Sequence, residues 1–214
     1  LAWDYFFDGR FADALARIEN VIGAFEAVPL PAEGKRRDLY LGARFMRDRI
    51  YFHADRLGSG LATVHETYEA AVTYPNRTVQ SGSALTLALA YLARGEYERA
   101  REWADRSLEI ARLIGSVSAL RSAVAVGILA RRELDEPIGG ERHLEMLENE
   151  ALTGLETLNC HTICEALLAI DEVKRAEQCA ERSYQNAGGR LRELSCALAL
   201  GDVTTRIGPA RWAD

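Results

Sequence analysis

The sequences AREWADRS (residues 100–107) and AEQCAERS (residues 176–183) are the stretches that decide the fold of this 214-residue chain. Their small residues share one register, in which the matched pairs are Ala100 with Ala176, Ala104 with Ala180, and Ser107 with Ser183. The two stretches lie 76 residues apart, which is two periods of 38. A fixed period of this length predicts stacked helical hairpins rather than one globular enzyme core.

A turn pattern repeats with the same register. It has a glycine, an aromatic residue two positions later and an alanine five positions later, as in GRFADA (9–14) and GEYERA (95–100). DEVKRA (171–176) and GPARWA (208–213) keep most of this spacing. The glycine ends one helix and the aromatic side chain fixes the start of the next. Two looser units place turns at 57–60, followed by Ala62 as the packing alanine, and at 136–140.

In five of the six units the first helix carries a large residue followed by a small one. The small side chain lets the backbones of crossing helices approach each other closely. These pairs are Leu1–Ala2, Leu87–Ala88, Val126–Gly127, Ile163–Cys164 and Leu200–Gly201. Together with the turns they predict helices at 1–8, 10–27, 34–57, 60–74, 78–94, 96–113, 116–133, 140–153, 156–169, 171–186 and 189–207, with a further helix starting at 209.

Composition excludes some classes of function. With 48% hydrophobic and 27% charged residues, the chain has enough apolar side chains to bury a core. The net charge of −6 argues against a nucleic-acid-binding surface, which needs a basic excess. The most apolar stretch, 116–130, is interrupted by Arg121, so we expect no membrane span. Because the sequence opens inside a helical pattern, we expect it to be a fragment of a longer chain.

The third unit (residues 81–112) shows the repeat most fully. Its defining residues are Leu87, Ala88, Tyr91, Gly95, Tyr97, Ala100 and Ser107. This pattern is similar to the tetratricopeptide repeat (TPR), although Ala84 and Cys160 stand where that family has a tryptophan. The spacing also resembles the longer repeats at the C-terminal end of bacterial multidomain regulators. In those proteins a nucleotide cyclase or winged-helix domain precedes a signal-transduction ATPase and then the repeats.

The resemblance implies an all-α fold: a right-handed α-solenoid of antiparallel helix hairpins, with about five to six repeats in one domain over residues 1–214. It also implies a function. We expect a regulatory module, without catalytic activity, of a larger cytoplasmic signalling or transcription-regulatory protein. Such a module binds a partner protein or helix and thereby controls the domain attached to it.

In stacks of this family the first helices line a concave groove. By this resemblance the groove residues are Leu85, Leu89 and Leu92 in the third unit, and His161 and Glu165 in the fifth. A mainly apolar groove suits an amphipathic helix, from another domain of the same polypeptide or from a second copy in a homodimer.

The first helix of the second unit is basic within an acidic chain. Its cationic residues are Lys35, Arg36, Arg37, Arg44, Arg47 and Arg49. At helical spacing Arg37, Arg44 and Arg47 share one stripe. One interpretation is a solvated helix with local ion pairs. The other is a strip that docks an acidic peptide or a neighbouring domain.

The four cysteines raise the question of a metal site. They are Cys160, Cys164, Cys179 and Cys196. Cys160 and Cys164 lie one helical turn apart, which suits metal binding. Both align with small packing residues of the third unit, Ala84 and Ala88, so we expect buried thiols that pack as small hydrophobic side chains. Free thiols also fit a reducing cytoplasm.

Two further motifs are incomplete. HETYE (65–69) has Glu69 where a zinc-protease helix has its second histidine, and Gly58-Ser59-Gly60 lacks the Lys and Ser/Thr of a phosphate-binding loop. We therefore predict no cofactor and no metal. Two alternatives to a protein-binding module stay open: a sensor for a small molecule or short peptide, and a helical enzyme or metal protein that uses the cysteines or His65.

Overall fold

The computed structural model describes residues 2–29, 34–54, 57–138, 147 and 159–207. These residues form helices joined by turns, without strands, and confirm the all-α prediction. The helices are α1 (Ala2–Phe7), α2 (Phe11–Glu26), α3 (Lys35–His53), α4 (Leu57–Thr73), α5 (Arg77–Ala93), α6 (Tyr97–Ile114), α7 (Val117–Glu133), α8 (Cys160–Ala169), α9 (Val173–Gln185) and α10 (Arg190–Ile207).

Most predicted helices agree with the structure to within a few residues. The predicted helix at 140–153, the packing residue Leu1 and the unit at 208–213 lie outside the described residues. The predicted turn at 57–60 is wrong, because α3 ends at His53 and α4 already begins at Leu57. Gly60 instead allows close helix packing: a Cβ atom there would lie 2.8 Å from the Cβ of Tyr51 on α3.

Two predicted packing residues are also wrong. Ala62 is exposed, whereas the buried residues of α4 are Val64, Tyr68 and Ala71, together with Thr67. Val64 precedes Ala100 by 36 residues, so a β-branched side chain fills the position where the pattern favoured alanine. In α10, Gly201 is exposed, and the buried stripe is Cys196, Ala199 and Val203. The spacing between units is thus shorter than the sequence pattern indicated.

A left-handed residue recurs at the helix-to-helix turns. The φ angles of Gly9, Gly95, Asp135 and Asp171 are 73°, 72°, 53° and 60°. Asp135 starts the turn that the sequence placed at 136–140, and of that range only 136–138 are described. The turn pattern therefore reflects a backbone requirement that glycine meets without strain and aspartate tolerates.

Gly95→Ala is expected to lower the free energy of unfolding by about 1 kcal/mol, because alanine is strained at positive φ. Gly23→Ala is a matched control, since Gly23 lies on an exposed part of α2 where nothing is within 4 Å of an added Cβ. That control should raise the free energy by about 0.5 to 1 kcal/mol. Urea unfolding followed by circular dichroism measures both, and equal signs would contradict the role of the turn.

Helices pack against their neighbours in the chain and against the next helix but one. Beyond the consecutive pairs, α3 contacts α5, α5 contacts α7, and α8 contacts α10. Small side chains lie at these crossings, and Ala84, Ala88, Ala100 and Ala104 have no exposed surface. Close approach of the helix axes is what such residues permit. Buried serines also link two of these helices: Ser107 Oγ on α6 donates a hydrogen bond of 3.0 Å to the carbonyl oxygen of Ser81 on α5.

The first and last described helices meet. The guanidinium of Arg192 on α10 lies 3.6 Å from the centre of the Phe7 ring on α1. A Cβ at Gly189 would lie 3.0 Å from the Cβ of Phe7. Contact between α1 and α10 places the N-terminal helix against the C-terminal one.

Candidate functional site

A partly open cavity of about 150 Å³ lies where α1, α3, α5 and α7 come together. Its apolar lining residues are Trp3, Phe45, Gly82, Leu85, Ile114 and Ala119. Its polar lining residues are Arg49, Thr78, Ser81, Ser116, Ser118, Ser122 and Asn159. A space of this size holds a molecule of about benzene's dimensions. The helices that surround it belong to three repeat units and to α1, so a bound molecule would connect them.

Glycine at position 82 shapes one wall of this cavity. A Cβ at Gly82 would lie 2.6 Å from the Cζ atom of Phe45. The absent side chain lets the Phe45 ring of α3 rest directly on the backbone of α5. Trp3, Phe45 and Thr78 also line an open depression on the outer side. The cavity and this depression are thus neighbours that share these three residues.

Arg49 is the charged residue of the cavity. It is only 5% exposed, and burial lowers the pKa of its guanidinium to about 10, so it stays charged at neutral pH. No carboxylate in the described part of the chain pairs with it or accepts a hydrogen bond from it. Other arginines are paired: Arg44 with Glu66 at 3.3 Å, and Arg131 with Asp105 at 2.7 Å. A buried charge without a partner is costly.

His53 follows Arg49 by one helical turn and is half-buried. Its ring contacts Phe6 and Phe52 with centroid distances of 5.3 and 5.0 Å. Burial and the charge of Arg49 hold the pKa of His53 well below its ordinary range, so the imidazole is neutral. Its Nε2 atom has no hydrogen-bond partner among the described side chains. The C-terminal end of α3 therefore places two polar side chains, those of Arg49 and His53, next to apolar residues.

Hydrogen-bond donors from α7 and from the residue before α8 also line the cavity. The Nδ2 atom of Asn159 donates a hydrogen bond of 2.9 Å to Ser122 Oγ. Because that serine oxygen already accepts, its own proton remains available to donate. Ser118, one turn earlier on α7, is half-buried. The polar part of the lining thus combines one cation with hydroxyl donors, a set that recognises an acceptor or an anion.

The predicted basic strip on α3 is not an exposed surface. Arg37 is 7% exposed, with its guanidinium 3.5 Å from the centre of the Tyr74 ring. Arg47 Nη2 lies 3.6 Å from the buried carboxylate of Asp48, and Arg44 is paired with Glu66. The strip turns inward because α2, α4 and α5 all pack against α3. A partner-binding role for Arg37, Arg44 and Arg47 stays a prediction.

The predicted groove residues of the third unit are mostly buried. Leu85 and Leu89 are each 6% exposed, and Leu92 is half-buried. They pack into the largest core cluster instead of lining an open apolar groove, which corrects that expectation. Leu85 also lines the cavity between α1, α3, α5 and α7. Binding of a partner by the other two leucines stays a prediction.

His161 and Glu165 of the fifth unit do come together. His161 Nδ1 lies 3.6 Å from Glu165 Oε2, and His161 Nε2 lies 2.7 Å from Asp202 Oδ2. Asp202, which follows Glu165 by 37 residues, carries no signal in the sequence that marks it as part of this group. Within the described part of the chain, this is the one group of three His, Cys, Asp or Glu side chains whose ligand atoms all lie within 4.8 Å. Each ring nitrogen faces a carboxylate, as in a surface ion pair.

The cysteines converge from α8, α9 and α10. Cys160, Cys164 and Cys196 have no exposed surface, as the alignment of the first two with alanines predicts. Contacts with the other thiols, first that of Cys164, and burial raise the pKa of Cys160. Four thiolates on one zinc ion at about 2.3 Å lie within about 4 Å of each other. The thiols of Cys160, Cys164 and Cys179 contact one another, and that of Cys196 contacts Cys160. The expectation that they hold no metal stays a prediction.

His65 of the HETYE motif is part of an aromatic cluster. Its Nε2 lies 2.9 Å from the hydroxyl of Tyr91, and its ring centre is 5.2 Å from that of Trp103. Burial, with the charge of Arg99, lowers the pKa of His65. These contacts explain the histidine by packing and hydrogen bonding between α4, α5 and α6.

Arg49 is one of the cationic residues of the basic helix, but it lies outside the predicted partner-binding stripe of Arg37, Arg44 and Arg47. A signal for its burial was present, because Arg49 falls on a stripe with Phe45, Met46, Ile50 and His53 at helical spacing. Three of these five residues are apolar, and the stripe predicts an inward face.

Comparison with known proteins gives no family for this chain, so the function is argued from the geometry of its residues. No family model matches the chain. No curated protein matches it with significant similarity. The helices in the described ranges include none with the length and apolar character to cross a membrane.

Proposed function

We propose that this chain is a regulatory binding module of the tetratricopeptide type that takes a small molecule into the cavity between α1, α3, α5 and α7. The single observation that carries this proposal is the cavity of about 150 Å³ with the buried, unpaired Arg49 in its wall. The role is binding and not catalysis. Among the described residues that line the cavity, none is a carboxylate, thiol or imidazole that could transfer a proton in a reaction.

The repeat architecture is supported by the recurring turn and by the contact pattern. Gly9, Gly95, Asp135 and Asp171 adopt the same left-handed conformation at successive hairpins. Helices α3, α5 and α7 contact each other in sequence, as first helices of stacked hairpins would. On this basis we propose a right-handed solenoid, within a larger cytoplasmic signalling or transcription-regulatory protein.

A ligand in this cavity would act by favouring one arrangement of the helices. Trp3 on α1, Phe45 on α3, Leu85 on α5 and Ala119 on α7 all border the same space. Occupation of the cavity adds contacts to each of these helices only when they are packed together. The ligand therefore shifts the population toward the packed state, and an attached domain can sense that shift.

Binding of a protein or peptide partner is a second candidate. It is favoured by an open groove of about 530 Å³ with charges of both signs, lined by Arg132, Leu168, Ala169, Asp202, Thr205 and Arg206. Asp202 joins this groove to the predicted partner residues His161 and Glu165 through its ion pair. The partner could be another domain of the same polypeptide or a second copy.

Ala119→Phe is expected to abolish small-molecule binding, because the added ring fills the cavity. Benzoate and benzamide serve as probes of matching size, and binding is followed by methyl NMR shifts of Leu85 and Ile114. Both probes should shift these signals in the native chain at millimolar concentration. Ala16→Phe on the exposed face of α2 is the matched control and should bind as the native chain does. Absence of any shift with either probe in the native chain would contradict the proposed function.

A further inference from the structure

Arg49 differs from the other arginines in what surrounds it. Arg49 lines the cavity, it is 5% exposed, and in the described ranges it has neither an ion pair nor a hydrogen bond. Arg206, for comparison, is exposed and pairs with Asp171 at 3.2 Å. An unpaired buried cation destabilises a fold unless something compensates it. A ligand with a negative charge would supply that compensation.

The rest of the cavity defines the other end of such a ligand. Trp3, Phe45, Leu85 and Ile114 give it an apolar surface. The volume of about 150 Å³ limits the ligand to about six to ten non-hydrogen atoms. A molecule that satisfies both ends is amphipathic, with one small anionic group and a compact hydrocarbon part.

The geometry of the donors favours a carboxylate as the anionic group. A guanidinium binds a carboxylate through two parallel N–H···O bonds. Ser122 can donate a further hydrogen bond, because its oxygen already accepts from Asn159. Inorganic phosphate carries between one and two negative charges at neutral pH and has no hydrocarbon part, whereas Arg49 is the one charged residue among the described lining residues.

We propose that the cavity between α1, α3, α5 and α7 binds a small amphipathic monocarboxylate, with Arg49 as the residue that pairs with the carboxylate. Ser122 donates to one carboxylate oxygen, and the hydrocarbon part packs against Trp3 and Phe45. This inference rests on the proposed function, since it names the class of molecule that the cavity would take.

Calorimetric titration of the native chain with benzoate, benzamide and inorganic phosphate tests the charge requirement. Benzoate should bind at least about ten-fold more tightly than benzamide, because only the carboxylate pairs with Arg49. At a benzoate concentration one hundred times its Kd, Tm should rise by about 5 to 10 °C. Phosphate should not bind. Equal affinities for benzoate and benzamide would overturn the assignment of the ligand class.

Variants of Arg49 test the residue. Arg49→Met keeps the length of the side chain without its charge and should reduce the affinity for benzoate at least about ten-fold, to that of benzamide. Its Tm without ligand should be equal to or above that of the native chain, because a buried unpaired charge is removed. Arg49→Lys should give intermediate affinity, and Arg17→Met, on the exposed face of α2, should leave binding unchanged.

The outcomes separate the two proposals. If Arg49→Met keeps the native affinity for benzoate, or its Tm falls sharply, Arg49 is not the carboxylate anchor, although the cavity still binds small molecules. If neither benzoate nor benzamide binds the native chain, the proposed function itself fails.

Discussion

Phe6→Ala is expected to lower the free energy of unfolding by about 3 to 5 kcal/mol, which is the cost of removing a fully buried phenyl ring. Phe6 has no exposed surface, although it lies on a helix of six residues at the start of the chain. A helix that short is not stable by itself. Its position must therefore come from packing, and Phe6 supplies most of that packing.

The contacts of Phe6 explain the size of the effect. Its ring centre lies 5.3 Å from that of His53 on α3, 5.5 Å from that of Trp3 and 6.0 Å from that of Phe11. It also belongs to a core cluster that includes Ile18 and Met46. Alanine at position 6 would leave a void between α1, α2 and α3 that these neighbours can only partly fill.

Denaturant unfolding monitored by circular dichroism measures the loss. Tyr184→Ala is the control, because Tyr184 is 49% exposed on α9 and its removal should change stability by less than about 1 kcal/mol. A loss below about 1 kcal/mol for Phe6→Ala would contradict the packing of α1 against the following helices.

The helices were predictable from the sequence because their ends depend on local chemistry. Gly9, Gly95 and Asp171 mark turns through a backbone angle that few residue types accept, and the pattern of alanines gives the packing face. The start of α4 is the exception, because it depends on a contact between residues of two different helices. Gly60 is a residue type typical of turns, but it lies inside α4, where its missing side chain makes room for Tyr51 of α3.

The candidate site was less predictable, because it depends on how helices distant in sequence meet. Arg37, Arg47 and Arg49 look alike as residues of a basic helix, yet they are buried against an aromatic ring, a carboxylate and a cavity. Their environments come from α4, α5 and α7. The position of Trp3 in the cavity wall follows likewise from the packing of α1, which no local pattern encodes.

Asp48→Asn is expected to raise the free energy of unfolding by about 2 to 3 kcal/mol at pH 7.5. Asp48 has no exposed surface, and its pKa is raised from 3.8 to about 6. Burial is the main cause, and the hydrogen bonds of Thr67 and Thr63 together with the charge of Arg47 offset it only in part. The fold thus favours the protonated carboxyl, which asparagine resembles in shape and lack of charge.

The sign of the pH dependence follows from the direction of this shift. Between about pH 4 and pH 6 the folded chain holds the Asp48 proton and the unfolded chain has released it. The unfolded state binds fewer protons there, so the contribution of Asp48 to stability falls as pH rises through this window. Below pH 4 both states are protonated, and the contribution is fully retained.

The asparagine variant lacks this titration, and the comparison of the two chains therefore isolates it. The difference in free energy of unfolding between Asp48→Asn and the native chain should be small at pH 4, grow between pH 4 and pH 6, and stay constant above pH 7. Asp105→Asn is the control: it removes a half-exposed ion pair with Arg131 and should change stability by less than about 1 kcal/mol. A variant that is less stable than the native chain at pH 7.5 would show that Arg47 and the two threonines compensate the buried charge fully. That result would imply a well-stabilised ion pair between Arg47 and Asp48 on α3. The expected result means instead that the buried carboxylate of Asp48 lowers the stability of this chain.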